Sequence, residues 1–322
     1  MGAQTSRANS HRVQQSDHKP SSVAPRYETK YVSVLGKQMA YFEVGSGDPI
    51  VFVHGNPTNK YMWRNVMAHC ESLGRLIAPD LIGMGESEKL NNVENLERYS
   101  LMEQSRYLTA FLEAVGVTER VTLVGHSWGG CLTAHWGSKH QTAVQGLVSL
   151  EVVYIPFPSW ERVPKKIRGG VKLLKRTQPV CCCCCAFDVG AHLILKKNLM
   201  LESMSERTIR DLTPEEMDHY RQGFTEPGEP RRPMLSLIRS IPVAGEPAEV
   251  VNIMDAGRKW IESSDLPKLF VSVEPGTMME GDRDFIRSWK NVTEVNVAGG
   301  HMVTEDAPDE VGLAIAKWYR QL

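Results

Sequence analysis

The stretch RVTLVGHSWGG, Arg120 to Gly130, decides how the chain is to be read. A run of β-branched and apolar residues ends in glycine, a serine follows at Ser127, and a helical pattern begins at Trp128. Strand, sharp turn and helix around G-x-S-x-G is the context of a nucleophile elbow. Gly125 and Gly129 permit the tight turn and a close approach of helix to strand. The elbow exposes the serine oxygen at the head of a helix, where backbone N–H groups point at developing negative charge. Ser127 is therefore the candidate nucleophile.

Outward from the elbow the chain alternates between two periods. YVSVLG and QMAYFEV read as paired antiparallel strands turning at Gly36-Lys37. PIVFVHG, RLIAPD, RVTLVG, GLVSLE and KLFVSVE are apolar, rich in β-branched residues, and end in polar or glycine turns. Such runs belong to strands buried on both faces of a parallel sheet. VTEVNVAGG reads as the last strand. Helical patterns lie between them over Tyr61 to Leu73, Leu101 to Val115, Trp128 to His140 and Pro308 to Leu322. The alternation predicts an α/β sheet with helices on both faces. Tyr154 to Ile241 breaks it, with helical segments, prolines and charges but no strand. An all-helical insertion there reads as a cap over the sheet's carboxyl edge, where open α/β sheets bind ligands. The expected division is a disordered tail over 1–28, a core over 29–153 and 241–322, and the cap over 154–240.

A serine nucleophile needs a base and an acid that orients it. His301 lies in NVAGGHMVTEDAP, just past the last strand and before the last helix. The two glycines give a loop able to carry an imidazole to the elbow. Two carboxylates compete for the third place. Glu151 ends GLVSLE directly after the elbow helix, and Glu274 ends KLFVSVE. HGNPTNKYMWR, His54 to Arg64, follows an early strand, and the backbone N–H of Asn56 can form an oxyanion hole with that of Trp128. DLIGMGES, Asp80 to Ser87, is glycine-rich but lacks the G-K-[ST] ending of a phosphate loop, so its role is to shape a turn.

The bulk numbers exclude several classes. With 322 residues, 42% of them hydrophobic, the chain can bury a sizeable core. A formal net charge of −1 gives no reason to expect nucleic acid. No apolar run approaches the roughly 18 residues of a membrane span. No secretory signal opens the chain, so a cytoplasmic location is expected. Of seven cysteines, Cys70 and Cys131 sit in apolar patterns and read as buried free thiols; the other five are consecutive, Cys181 to Cys185. Neighbouring side chains diverge, so the run is a poor metal site, and no metal is expected. MGAQTS fits the pattern for myristoylation at Gly2, and Arg7, Arg12, Lys19 and Arg26 supply a basic stretch behind it. Peripheral membrane contact through Gly2 and an acylated Cys181, Cys182, Cys183, Cys184 and Cys185 is one expectation. A solvated tail is the alternative for Gly2, and an inert cap loop or a gene-model error is the alternative for the cysteine run.

Taken together, HGNPTNKYMWR, PDLIGMGES, GHxWG, the Glu151 strand end, RRPMLSLIRSIPVAGEP, DLPKLFVSVEPG and HMVTEDAPDE resemble the α/β-hydrolase superfamily. More narrowly, they look like haloalkane dehalogenases and Renilla-type coelenterazine luciferases, from about Tyr31 to the C-terminus. The resemblance implies an α/β-hydrolase fold, with a mostly parallel eight-stranded sheet and a helical cap. It also implies a nucleophile at 127, halide-type binding by Asn56 and Trp128, an acid at Glu151 and a base at His301. Ser127 departs from the aspartate of those families. A serine attacking the halogen-bearing carbon would give an alkyl ether, which has no carbonyl for water to cleave. At an ester carbonyl, serine gives an acyl-enzyme that water can hydrolyse. The expected function is thus a serine hydrolase of a small carboxylic ester that needs no cofactor. A coelenterazine-dependent luciferase, a dehalogenase-like protein and a non-catalytic small-molecule-binding homologue are the alternatives.

Overall fold

The computed structural model describes residues 21–175 and 188–322. Gly2 and Cys181 to Cys185 lie outside the described residues. Eight strands form one sheet in the order β1-β2-β4-β3-β5-β6-β7-β8. They are Thr29–Val34, Lys37–Val44, Pro49–Val53, Arg75–Pro79, Val121–His126, Val144–Leu150, Lys268–Pro275 and Val292–Gly299, numbered β1 to β8 in chain order. β1 and β2 form the antiparallel hairpin, and β2 also runs antiparallel to β4. All later pairings are parallel. β5 is buried along its whole length, as its apolar run requires.

The helices Leu101–Ala114, Trp128–Lys139 and Pro308–Tyr319 fall where their patterns place them. The helix expected from Tyr61 to Leu73 is shorter: a 3₁₀ turn Lys60–Trp63 leads into Arg64–Met67. Beyond it the bonds tighten, His69 N–H to Val66 O and Cys70 N–H to Met67 O, because the chain must turn at Gly74 into β4. A Cβ on Gly74 would lie 2.3 Å from the Asp48 carbonyl oxygen. The reading missed the helix Ala248–Ser263. Its buried Val250, Ile253, Met254, Gly257, Trp260 and Ile261 keep the spacing of a helix face.

Between β6 and β7 the described residues hold helices Lys165–Lys175, Pro214–Arg221 and Arg232–Arg239, with short turns between them. A buried ionic cluster fastens this insertion to the core. Arg64 donates to Glu305 at 2.5 and 3.0 Å and to Glu216 at 3.2 Å. Arg210 donates to Glu216 and Glu305, and Tyr220 OH to Glu305. Residues 22–27, read as part of the tail, lie against the core because the same corner offers them partners. Ser22 N–H and Arg26 Nε both donate to Asn65 Oδ1 at 2.9 Å, and Tyr27 OH donates to Glu71. Cys70 and Cys131 are buried free thiols, and burial pushes both up to about 12, so neither is a ready nucleophile.

Candidate active site

β5 delivers Ser127 to the N-terminus of the helix Trp128–Lys139 with φ 53° and ψ −125°. A serine in that region is strained, and four glycines make room for it. A Cβ on Gly55 would lie 2.7 Å from Ser127 Cβ, and one on Gly129 would lie 2.0 Å from Val53 O. Added to Gly125 or Gly130, it would meet Gly130 Cα at 2.4 Å or Val152 Cγ2 at 2.1 Å. The tight turn and close approach read from Gly125 and Gly129 are thus present. Among the described residues the Ser127 hydroxyl makes no hydrogen bond, while its backbone N–H donates to Leu150 O at 3.2 Å.

His301 follows β8 and Glu151 follows β6. The parallel order brings the two loops together, and Glu151 Oε2 lies 3.2 Å from His301 Nδ1. The Glu151 side chain is fully buried and that of His301 is 15% exposed. Burial pushes the Glu151 carboxyl up, but hydrogen bonding and charge from His301, with hydrogen bonds from Thr277, outweigh it and hold the group below its usual range. Glu274 is not brought to the imidazole. Its side chain is 73% exposed and pairs with Arg283 at 3.4 Å, because it turns outward at the end of β7. Glu151, not Glu274, meets His301.

Two further residues join the site. Thr277 N–H and Oγ1 donate to Glu151 Oε2 at 2.7 and 2.6 Å, and Oγ1 also lies 2.9 Å from His301 Nδ1. No motif marks Thr277 in the sequence. His126, just before Ser127, places its ring centroid 4.8 Å from that of His301 and donates from Nε2 to the His301 carbonyl at 2.7 Å. Burial, then the neighbouring His301, pushes His126 down to about 3, so it stays neutral. It ties the His301 backbone to the strand that leads into Ser127. The only signal for it was adjacency to the elbow.

Asn56 and Trp128, the candidate oxyanion donors, follow Gly55 and Ser127, which approach each other closely. Asn56 is buried, and its backbone N–H makes no hydrogen bond among the described residues. Trp128 is the first residue of its helix, where the helix offers its N–H no carbonyl. The Asn56 side chain is otherwise engaged: Nδ2 donates to Met234 O at 3.0 Å and to Met200 Sδ at 3.4 Å. The Trp128 indole is half-buried and makes no hydrogen bond among the described residues. Asp80 accepts from Lys60 Nζ and N at 2.8 and 2.6 Å and from Glu86 N at 2.8 Å, so DLIGMGES shapes a turn. A cavity of about 520 Å³ lined by Trp160, Lys175 and Arg239 includes none of these residues.

A parallel sheet, a strained serine between β5 and its helix, and a carboxylate-held histidine after the last strand together define an α/β hydrolase, and the chain belongs to that family. The family described as alpha/beta hydrolase fold matches residues 48–178. A haloalkane dehalogenase of Sphingobium indicum is 43% identical over 300 residues, covering 92% of this chain and 97% of its own. The coelenterazine h 2-monooxygenase of Renilla reniformis is 34% identical over 298 residues, covering 91% of each chain. Among solved structures, the haloalkane dehalogenase DbeA from Bradyrhizobium elkani superposes with a TM-score of 0.82 at 30% identity, over 91% of this chain and 98% of its own. These relatives are enzymes.

Proposed function

We infer that the protein hydrolyses a small carboxylic ester through an acyl-enzyme on Ser127. The observation that carries this reading is the Glu151–His301 pair at 3.2 Å, with the His301 ring against that of His126, the residue before the strained Ser127. His301 Nε2 takes the Ser127 proton as Oγ bonds to the ester carbon. The oxyanion is met by the backbone N–H groups of Asn56 and Trp128. His301 returns the proton to the departing alcohol. Water then adds to the acyl carbon, giving a proton to His301, and the carboxylic acid leaves as Ser127 regains its hydrogen. Residues 154–240 act as the cap, whose helices set specificity.

The test is hydrolysis of a short p-nitrophenyl ester by wild type and Ser127→Ala side by side. Turnover in wild type and its loss in the alanine variant are expected. Equal rates in the two would overturn the role of Ser127. Labelling of Ser127 by a fluorophosphonate separates an enzyme from a binding homologue.

A second reading is favoured by the likeness to the Renilla enzyme: oxygenation of coelenterazine, with light emission. Light above an albumin blank would support it. Among the described residues no helix is long and apolar enough to cross a membrane. Acylation of Gly2 and of Cys181 to Cys185 belongs to the same proposal and is tested by intact mass and by hydroxylamine-sensitive labelling in cells.

A further inference from the structure

The contact between acid and base in this site is not a simple pair. Thr277 Oγ1 stands 2.9 Å from His301 Nδ1, closer than the Glu151 oxygen at 3.2 Å. The same hydroxyl is 2.6 Å from Glu151 Oε2, which Thr277 N–H also reaches at 2.7 Å. A 2.6 Å O–H···O⁻ contact lies in the charge-assisted range, whereas 3.2 Å is the long end for N–H···O. Glu151 Oε1 is buried with no partner among the described residues, beside Gly276, where an added Cβ would lie 2.5 Å away. All the holding of this carboxylate therefore falls on Oε2, and Thr277 supplies two of its three donors.

Counting hydrogens fixes the direction. An ionised carboxylate only accepts, and a threonine hydroxyl has one hydrogen. That hydrogen goes to Glu151 Oε2. The hydroxyl can then only accept from His301, so the imidazole hydrogen sits on Nδ1. Nε2 is left bare, the form a base needs to take a serine proton.

We propose that Thr277 is a positioning residue interposed between Glu151 and His301, and that its hydroxyl, more than the direct carboxylate contact, fixes the tautomer of the base. The glutamate supplies the charge that steadies the imidazolium, and the threonine supplies the directional contact. The inference rests on the ester-hydrolase reading for its catalytic consequence, but its structural content can be measured without turnover.

Thr277→Val removes the hydroxyl and keeps both the shape and the backbone N–H to Glu151. Thr277 is exposed, so the fold has little to lose. Two readouts decide the matter. In nitrogen-15 spectra of the full chain at neutral pH, wild type shows His301 with its hydrogen on Nδ1. The valine variant shows a mixture of the two tautomers, and Thr277→Ser restores the single form. In ester hydrolysis the valine variant loses about tenfold to a hundredfold in kcat with KM unchanged, and serine recovers most of it. A valine variant that keeps the single Nδ1–H tautomer overturns the proposal, whatever its rate. An inactive wild type with mixed tautomers in the variant removes the ester reading and leaves the role of Thr277 standing.

Discussion

Ser127 has the backbone of a residue placed for its oxygen rather than for its own comfort. Its positive φ is tolerated only because Gly55, Gly125, Gly129 and Gly130 leave space around it. Gly55→Ala would set a methyl 2.7 Å from Ser127 Cβ and 3.1 Å from Oγ. The expected result is a fall of about 100-fold in kcat/KM with an unchanged near-ultraviolet circular dichroism spectrum. Ser127→Asp tests the chemistry from the other side. An aspartyl ester carries a carbonyl that water can attack, so this variant should gain catalytic halide release from a bromoalkane. Wild type should release at most one halide per chain. At this scale the strand ends marked Ser127 and His301 as candidates, but they offered Glu151 and Glu274 alike, and only the resemblance pointed to Glu151, the one that meets His301. Thr277 was not legible, because nothing in PGTMM separates a hydrogen-bonding threonine from a loop residue. Nor was the commitment of the Asn56 amide to the Met234 carbonyl, a contact across 178 positions of sequence.

Elements locate these residues, and their packing is tight where two helices cross. The helix Ala248–Ser263 lies on the elbow helix Trp128–Lys139 through glycine. A Cβ on Gly137 would sit 2.3 Å from the ring of Trp260, and one on Gly257 would sit 2.9 Å from Ala134 Cβ. Gly137→Ala should cost about 1–3 kcal/mol by overpacking, read as a lowered urea midpoint. All eight strands were legible, because apolar runs bounded by turns leave little choice. The helix Ala248–Ser263 was legible in principle, since its apolar spacing is regular, but charges at Glu249, Asp255, Arg258 and Lys259 mask it. The helix after Tyr61 was over-extended, because its apolar pattern runs on to Leu73 while the helical bonds tighten after Met67. Arg64 belongs to this scale as well. Arg64→Leu would leave the partly exposed Arg210 as the one cation, among the described residues, paired with both Glu305 and Glu216. Removing one partner of such a cluster costs roughly 3–5 kcal/mol, so a large drop in thermal midpoint is expected.

Over the whole molecule, buried histidines set the response to acid. Burial lowers His54, and it pushes His126 down to about 3 and His135 down to about 4. Unfolded, these rings take protons near pH 6.5. Between that pH and the folded values the unfolded chain binds more protons, so stability must fall as pH falls. Glu86, Glu151 and Glu216 act in the same direction further down. Burial alone would raise each of them, but hydrogen bonds, from Lys60, His301 and Arg210 respectively, hold them low. The stability they contribute is present above their unfolded values, near pH 4.3, and is lost below. Melting from pH 7.5 to 4.5 should therefore show a midpoint that declines steadily below about pH 6.5. A flat profile would mean that these histidines are not buried neutral.

The ionic corner has one more effect, on how the molecule can move. Glu305 and Asp306 stand just beyond His301. Glu305 grips Arg64 and Arg210, while Asp306 takes Gly300 N–H on one side and Ile209 N–H on the other. Met302 N–H donates to Arg207 O at 3.0 Å, closing the same seam. The His301 loop and the rim of the insertion are therefore joined into one piece. Any opening of the insertion would have to break these contacts or carry the His301 loop along with it.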